Sequence, residues 1–187
     1  MRKIIAAINM TLDGVFDHTA VNPDKAIHQH YADLIGNSGV LLYGRITYGL
    51  MEYWKELARN PSGEKMMDDF ALVIDQAPKL IFSRILKILD WESASLAARS
   101  LEDEVRSLQQ QPGKDILIGS RSLIIALLQL GLIDQLQLCI HPVLAGEGHP
   151  LFESLKERTS LKLVNTKTFD SGAVILYYEP ENPAQRH

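Results

Sequence analysis

Residues 40–48, Val40-Leu41-Leu42-Tyr43-Gly44-Arg45-Ile46-Thr47-Tyr48, decide the fold, because an unbroken apolar run leads straight into a glycine, a cation and a hydroxyl. A short apolar run without alternation is the pattern of a strand buried on both faces, as in a parallel sheet covered by helices. The glycine then opens a helix. Such a strand-to-helix turn leaves backbone N–H groups pointing outward, which suits an anion.

The same arrangement recurs downstream. Met66, Phe70 and Val73 form a helical stripe ahead of Lys79-Leu80-Ile81-Phe82, a strand that ends at Ser83-Arg84. Leu101, Val105 and Leu108 form another stripe, broken at Pro112-Gly113, and Asp115-Ile116-Leu117-Ile118 is a strand ending at Gly119-Ser120-Arg121-Ser122. Upstream, Ile4 to Ile8 has a strand's length and runs toward the turn signal Asp13-Gly14. Asn22-Pro23 reads as an N-cap with proline at the first helical position, before Ile27, Tyr31, Leu34 and Ile35 at helical spacing.

Beyond Ser122 the character of the chain changes. A helix carrying Leu123, Ile124, Leu127 and Leu128 stops at Gly131, and Leu136, Leu138 and Ile140 then alternate with Gln135, Gln137 and Cys139. This alternation predicts the first of the antiparallel strands, followed by Leu161 to Phe169 and Ala173 to Tyr178, joined as a hairpin at Asp170-Ser171-Gly172. The expected class is therefore α/β: a central mixed, mostly parallel sheet with helices on both faces and a closing antiparallel hairpin. One domain is expected over residues 1–179, with 180–187, which hold Pro180 and Pro183, as a flexible tail.

Composition narrows the function classes. The chain has 187 residues, of which 46% are hydrophobic and 22% charged, enough for one sizeable core. A formal net charge of -4 argues against a nucleic-acid partner. The apolar run near Met1 is too short for a signal core or a membrane span, so a cytoplasmic protein is expected. Cys139 is the only cysteine, which rules out an internal disulfide and a zinc site with several thiolates. Packing in a strand is its plain reading, against that of a nucleophile. His28 and His30 stand two apart on a helix and so face different ways, and no metal site is expected.

The chemistry gathers at the strand ends. If their strands are parallel, the turns at Gly44-Arg45-Ile46-Thr47, Ser83-Arg84 and Gly119-Ser120-Arg121-Ser122 share one edge, where α/β sheets bind ligands. Each supplies an arginine with hydroxyl or backbone donors, the groups that match a pyrophosphate and an extra phosphate. Arginines that cap helix ends are the competing reading. Neither the G-x-G-x-x-G fingerprint nor the P-loop pattern occurs.

The order of Asn9-Met10-Thr11-Leu12-Asp13-Gly14, Leu42 to Tyr48, Ile116 to Ser120, Gly131 to Asp134, Pro142 to Gly148 and Leu151-Phe152 resembles the dihydrofolate-reductase-like superfamily. Within it, the chain is most like bacterial proteins related to the reductase domain of riboflavin biosynthesis. The resemblance spans nearly the whole chain. It implies that fold, in three layers, with NADPH across the carboxyl edge of the sheet and an activity like that of 5-amino-6-(5-phosphoribosylamino)uracil reductase. Dihydrofolate reduction, or a non-catalytic nucleotide-binding dimer that kept the fold, are the alternatives.

By the same resemblance, Gly44, Arg45 and Thr47 take the pyrophosphate, Ser83 and Arg84 the 2′-phosphate, and Gly119, Ser120, Arg121, Ser122 and Leu123 close over the cofactor. Ala7 lies beside the nicotinamide. Asn9, Asp13, Trp54, Gly146 and Gly148 fall on the substrate side, with Asp13 the candidate catalytic residue. Ordinary turn chemistry is the other reading of Asp13, and helix packing that of Trp54. The chain departs from the family patterns in two places. Ala7 stands where a lysine is usual, and His28 falls near the position of the dihydrofolate reductase helix acid, with Asp24 a turn earlier. A small-molecule substrate and a homodimer complete the expectation.

Overall fold

The computed structural model describes residues 1–17, 19–153 and 155–181. Eight strands form one sheet: β1 (Ile4–Thr11), β2 (Val40–Gly44), β3 (Lys79–Phe82), β4 (Ala94–Leu96), β5 (Ile116–Ile118), β6 (Gln135–His141), β7 (Leu161–Thr168) and β8 (Val174–Pro180). Five helices among the described residues accompany them: α1 (Lys25–Gly36), α2 (Arg45–Arg59), α3 (Lys65–Gln76), α4 (Leu101–Gln110) and α5 (Arg121–Gln129).

The strands lie in the order β4-β3-β2-β5-β1-β6-β8-β7, and every pairing from β4 to β6 is parallel. Only β8 runs against the rest, paired antiparallel with β6 on one side and β7 on the other. All five residues of β2 are buried, as the run at residues 40–44 predicts. Leu41 and Tyr43 pack with Ile35, Tyr48, Phe70 and Ile74, which puts α1, α2 and α3 on one face. Leu42 packs on the other face with Val105, Ile124 and Leu127 of α4 and α5. Full burial of an aliphatic side chain such as Ile124 or Leu127 contributes about 1.5–3 kcal/mol, so these two layers hold the sheet.

Three expectations need correction. Leu136 to Ile140 does not open the antiparallel part: β6 pairs parallel with β1 from Ile5↔Gln135 to Thr11↔His141, and antiparallel only with β8. The crossover through α5 returns the chain in the same direction. Cys139 packs against Ile27 of α1 and Gln137 is buried, so the alternation marked two chemically different covered faces rather than one wet face. The N-cap of α1 is Asp24, not Asn22, since Asp24 Oδ1 accepts from the Ile27 N–H at 2.9 Å and Pro23 stays outside the helix. Finally, β8 continues through Pro180, and Glu181 N donates to Ser160 O at 2.9 Å. The rest of the expected tail, 182–187, lies outside the described residues.

Candidate active site

Parallel pairing brings the ends of β2, β3, β5 and β1 to one edge. There Gly44 is the N-cap of α2 and Ser120 that of α5, neither giving a side-chain cap to the first turn. The Ser120 hydroxyl is used elsewhere: buried, it accepts from the Gly44 N–H at 2.9 Å and ties the two turns together. A Cβ on Gly44 would stand 3.4 Å from Ser122 Oγ, in van der Waals contact with the start of α5. Between them lies a cleft of about 200 Å³, lined by Gly44 to Thr47, Phe82, Ser122 and Leu123. Two positive helix ends converge on it, as an anionic ligand requires.

Arg45 and Arg84 are exposed beside this edge. Ser83 closes its own turn, its Oγ accepting from Ile85 N at 3.2 Å and Leu86 N at 3.0 Å. Arg121 is turned away from the cleft. Its Nε donates to the Pro150 and Leu151 carbonyls at 3.1 and 3.0 Å, and its guanidinium stands 3.6 Å from Glu153, so it braces the segment after β6.

Ala7 and Gly119 meet at the middle of the edge, where a Cβ on Gly119 would lie 3.8 Å from the Ala7 carbonyl oxygen. One strand repeat further along β1, Asn9 holds His141: Asn9 Oδ1 is 2.9 Å from His141 Nε2, and Cys139 Sγ is 3.7 Å from the same nitrogen. Burial lowers the His141 pKa, which the nearby Asp24 carboxylate partly offsets. Burial also pushes the Cys139 thiol up to about 12, so it is no nucleophile at neutral pH.

The loop after β1 is zipped to the loop after β6. Leu12 N donates to Val143 O at 2.9 Å, Phe16 N to His149 O at 3.2 Å, and Leu151 N to Gly14 O at 2.9 Å. Asp13 closes this seam, accepting from the Thr11 hydroxyl at 2.5 Å, Ala145 N at 3.1 Å and Gly146 N at 2.8 Å. These donors, the Thr11 hydroxyl foremost, hold its pKa at about 2. Gly148 belongs to the same seam; its φ of +129° and the 2.6 Å that would separate a Cβ from Val15 Cγ1 leave room only for glycine.

Trp54 stands apart from the strand ends. It packs edge-on to Phe70 at 4.7 Å and to His28 at 6.3 Å between ring centroids, sealing α2 against α1 and α3. A hollow of about 440 Å³ lies beside that seal, between α1 and α3, lined by Lys25, His28, Lys65 and Asp69 among others. It is larger than the edge cleft but away from the converging helix starts, so the edge cleft is the better place for chemistry.

The structure thus gathers Gly44, Arg45, Thr47, Ser120, Ser122 and Leu123 at one end, Ala7, Gly119 and Asn9 in the middle, and Asp13, Gly146 and Gly148 in the loop seam. Sequence alone does not single out Phe82 or Thr11. Thr11 carries a signal, a hydroxyl two residues before the turn aspartate; Phe82 has none beyond its place at a strand end.

The profile of the RibD C-terminal domain matches residues 2–175. The uncharacterized protein YyaP of Bacillus subtilis (strain 168) is 36% identical over 185 residues, covering 95% of this chain and 94% of its own. Among solved structures, a Shewanella sp. PV-4 protein named for riboflavin biosynthesis is similar at a TM-score of 0.72 and 19% identity, over 97% of this chain and 100% of that one. The Saccharomyces cerevisiae riboflavin biosynthesis reductase Rib7 gives 0.64 and 14%, over 96% and 90%. Their identities make these two likenesses of fold.

Proposed function

Since the chain belongs to the RibD C-terminal domain family, we propose that it is a reductase that uses NADPH to reduce a C=O or C=N group of a small heterocyclic or sugar-linked molecule. The observation that carries this reading is the pair of helix starts joined by the Gly44–Ser120 hydrogen bond, with no side chain capping either first turn. Those N–H groups, with Thr47 and Ser122, would hold the pyrophosphate, and the exposed Arg45 and Arg84 the remaining phosphate charge. NADPH, when bound, supplies the hydride. Ala7 and Gly119 keep the middle of the edge low, so a flat ring can lie against backbone there. Asp13, held ionised, ties the two loops together at the substrate side.

Fluorescence titration with NADPH and NADH tests the cofactor, with tighter binding of NADPH expected. NADPH oxidation measured against dihydrofolate, the riboflavin pyrimidine intermediate and a carbonyl panel tests the reaction. Cofactor binding without any turnover would favour a non-catalytic nucleotide-binding protein.

We also propose a homodimer formed through the β7–β8 end of the sheet. Seven of the eight residues of β7 are exposed, with Leu163 and Val164 at 49% and 41%, and no later helix among the described residues covers them. Light scattering at micromolar concentration should give twice the chain mass; a monomer mass would reject the pairing.

A further inference from the structure

We propose that His30, Gln137 and Lys167 form an acid-released clasp by which α1 holds the edge strand β7. It stands on observations separate from those behind the reductase reading. The register across the sheet sets Cys139 of β6 opposite Ile175 of β8, and Ile175 opposite Lys167 of β7. Partners in register share a face, and Cys139 and Ile175 pack with Ile27 of α1, so Lys167 ends a row of residues on the side of that helix. From there its Nζ reaches His30 Nδ1 on α1 at 3.3 Å, and it stands 5.1 Å from the centre of the Phe169 ring. Phe169 also packs edge-on to His30, with 6.2 Å between ring centroids.

This contact decides the tautomer of the ring. An ammonium only donates, so His30 Nδ1 accepts and carries the lone pair, and in the neutral ring Nε2 carries the hydrogen. Among the described residues, His30 Nε2 is sealed from solvent without a hydrogen-bond partner, and so is Gln137 Oε1, an acceptor on β6. The Gln137 amide is oriented by its own bond, Nε2 donating to Gln135 Oε1 at 2.7 Å. It acts on His30 as an acceptor, which favours a charged ring, although the geometry falls short of a closed bond. The ring is thus held on one side by Lys167 and left with an unused acceptor on the other.

Protonation undoes this arrangement. A hydrogen on Nδ1 leaves Lys167 nothing to donate to and sets two cations 3.3 Å apart. The charged groups facing His30 are Lys167 from β7 and Asp33 from the next turn of α1, whose exposed carboxylate already accepts from Gln29 at 2.8 Å. Gln137 of β6 and Phe169 after β7 carry no charge. Tyr31 beside the ring, Tyr177 of β8 and the Cys139 thiol are all pushed up by burial, the last to about 12, and keep their protons. Burial and then Lys167 lower the His30 pKa, against Asp33 and Gln137. Because the folded ring takes a proton less readily than the unfolded one, stability is full above the ordinary 6.5 and is lost as pH falls through the folded value. The clasp is therefore shut at neutral pH, and acid opens it at β7, the last strand of the sheet, which pairs with β8 alone. On the pairing proposed above, that is the strand a second copy would meet.

The test follows the His30 ring by nuclear magnetic resonance through a pH titration, its signal assigned by correlation to its own backbone. His30 should titrate below 6.5, and Lys167→Met, which removes the neighbouring cation, should move the value upward. Hydrogen exchange by mass spectrometry reads the strand. Corrected for the pH dependence of free amides, exchange over 165–168 should quicken about fivefold in the parent between about pH 7.5 and about pH 5, the scale of one lost hydrogen bond. His30→Gln keeps an oxygen to accept from Lys167 and has no charge to gain, so its exchange should stay slow at both. In Lys167→Met exchange should be fast at both. A His30 value at or above 6.5, a value unmoved by Lys167→Met, or the same acid response in His30→Gln as in the parent would overturn the clasp. The parent titration and Lys167→Met decide the matter even if His30→Gln does not fold. A monomer mass in light scattering rejects the pairing alone, because the His30 ring is read directly in either state.

Discussion

The helix starts at the edge cleft and the loop seam after β1 and β6 treat backbone N–H groups in opposite ways. At the starts of α2 and α5, no side chain of the protein caps the first turns, and the one hydroxyl positioned to do so, on Ser120, is spent on Gly44. At the loops after β1 and β6, the N–H groups of Ala145 and Gly146 are taken by the Asp13 carboxylate. On the reading proposed above, a ligand phosphate would satisfy the donors at the first place, whereas the second supplies its own anion. A negative group from outside would then be accommodated at the first place and redundant at the second, which would separate cofactor binding from loop closure.

Filling the open end should produce the largest effect. In Gly44→Val the Cβ starts 3.4 Å from Ser122 Oγ and the branched methyls enter the cleft. Losing two charge-assisted N–H contacts to phosphate should weaken NADPH about a hundredfold or more, read by fluorescence titration. An affinity close to that of the parent would mean that the phosphate does not lie between the two helix starts.

Arg84→Ala should act at the same end with a smaller effect. The side chain is exposed and screened by salt, so a loss of about tenfold for NADPH is expected, with NADH unchanged. Equal losses for both cofactors would move Arg84 from the 2′-phosphate to a general electrostatic role.

Much of this contrast is legible in the sequence. Gly44 and Gly119 stand out because apolar runs lead directly into them, and a parallel sheet then forces their turns onto one edge. The direction of β6 is hidden, because Gln137 and Cys139 alternate with leucines as they would on a half-wet strand, whereas α1 covers that face. Arg121 reads as a phosphate ligand beside Ser120, yet its guanidinium reaches carbonyls about thirty residues away, at Pro150 and Leu151. Strand β4 carries no signal, since Ala94-Ser95-Leu96 is too short to show a period. Long-range hydrogen bonds and the coverage of a face are decided by tertiary packing, which local pattern does not encode.

Asp13 gives the sharpest test of the closed end. A general acid must hold a proton at working pH, but a carboxyl with a pKa of about 2 is protonated in about one molecule in 10⁵ at pH 7. Its three donors instead suit a permanent anion that keeps the loops shut. Because the latched pKa lies below the ordinary 3.8, the latch is complete above that value and is lost as pH falls from there through about 2. Asp13→Asn keeps an oxygen for one N–H but turns an amide nitrogen toward another donor. Amide exchange at Ala145 and Gly146 should then quicken several-fold, and turnover of an identified substrate should fall by about tenfold, short of the hundredfold or more that loss of an acid would bring. NADPH affinity should stay at the parent value, because the seam lies apart from the Gly44–Ser120 helix starts. Hydrogen exchange by mass spectrometry alongside steady-state kinetics separates the cases. Unchanged exchange at Ala145 and Gly146 together with a large loss of turnover would make Asp13 part of the chemistry, and weakened NADPH binding would join the two ends that the structure keeps distinct.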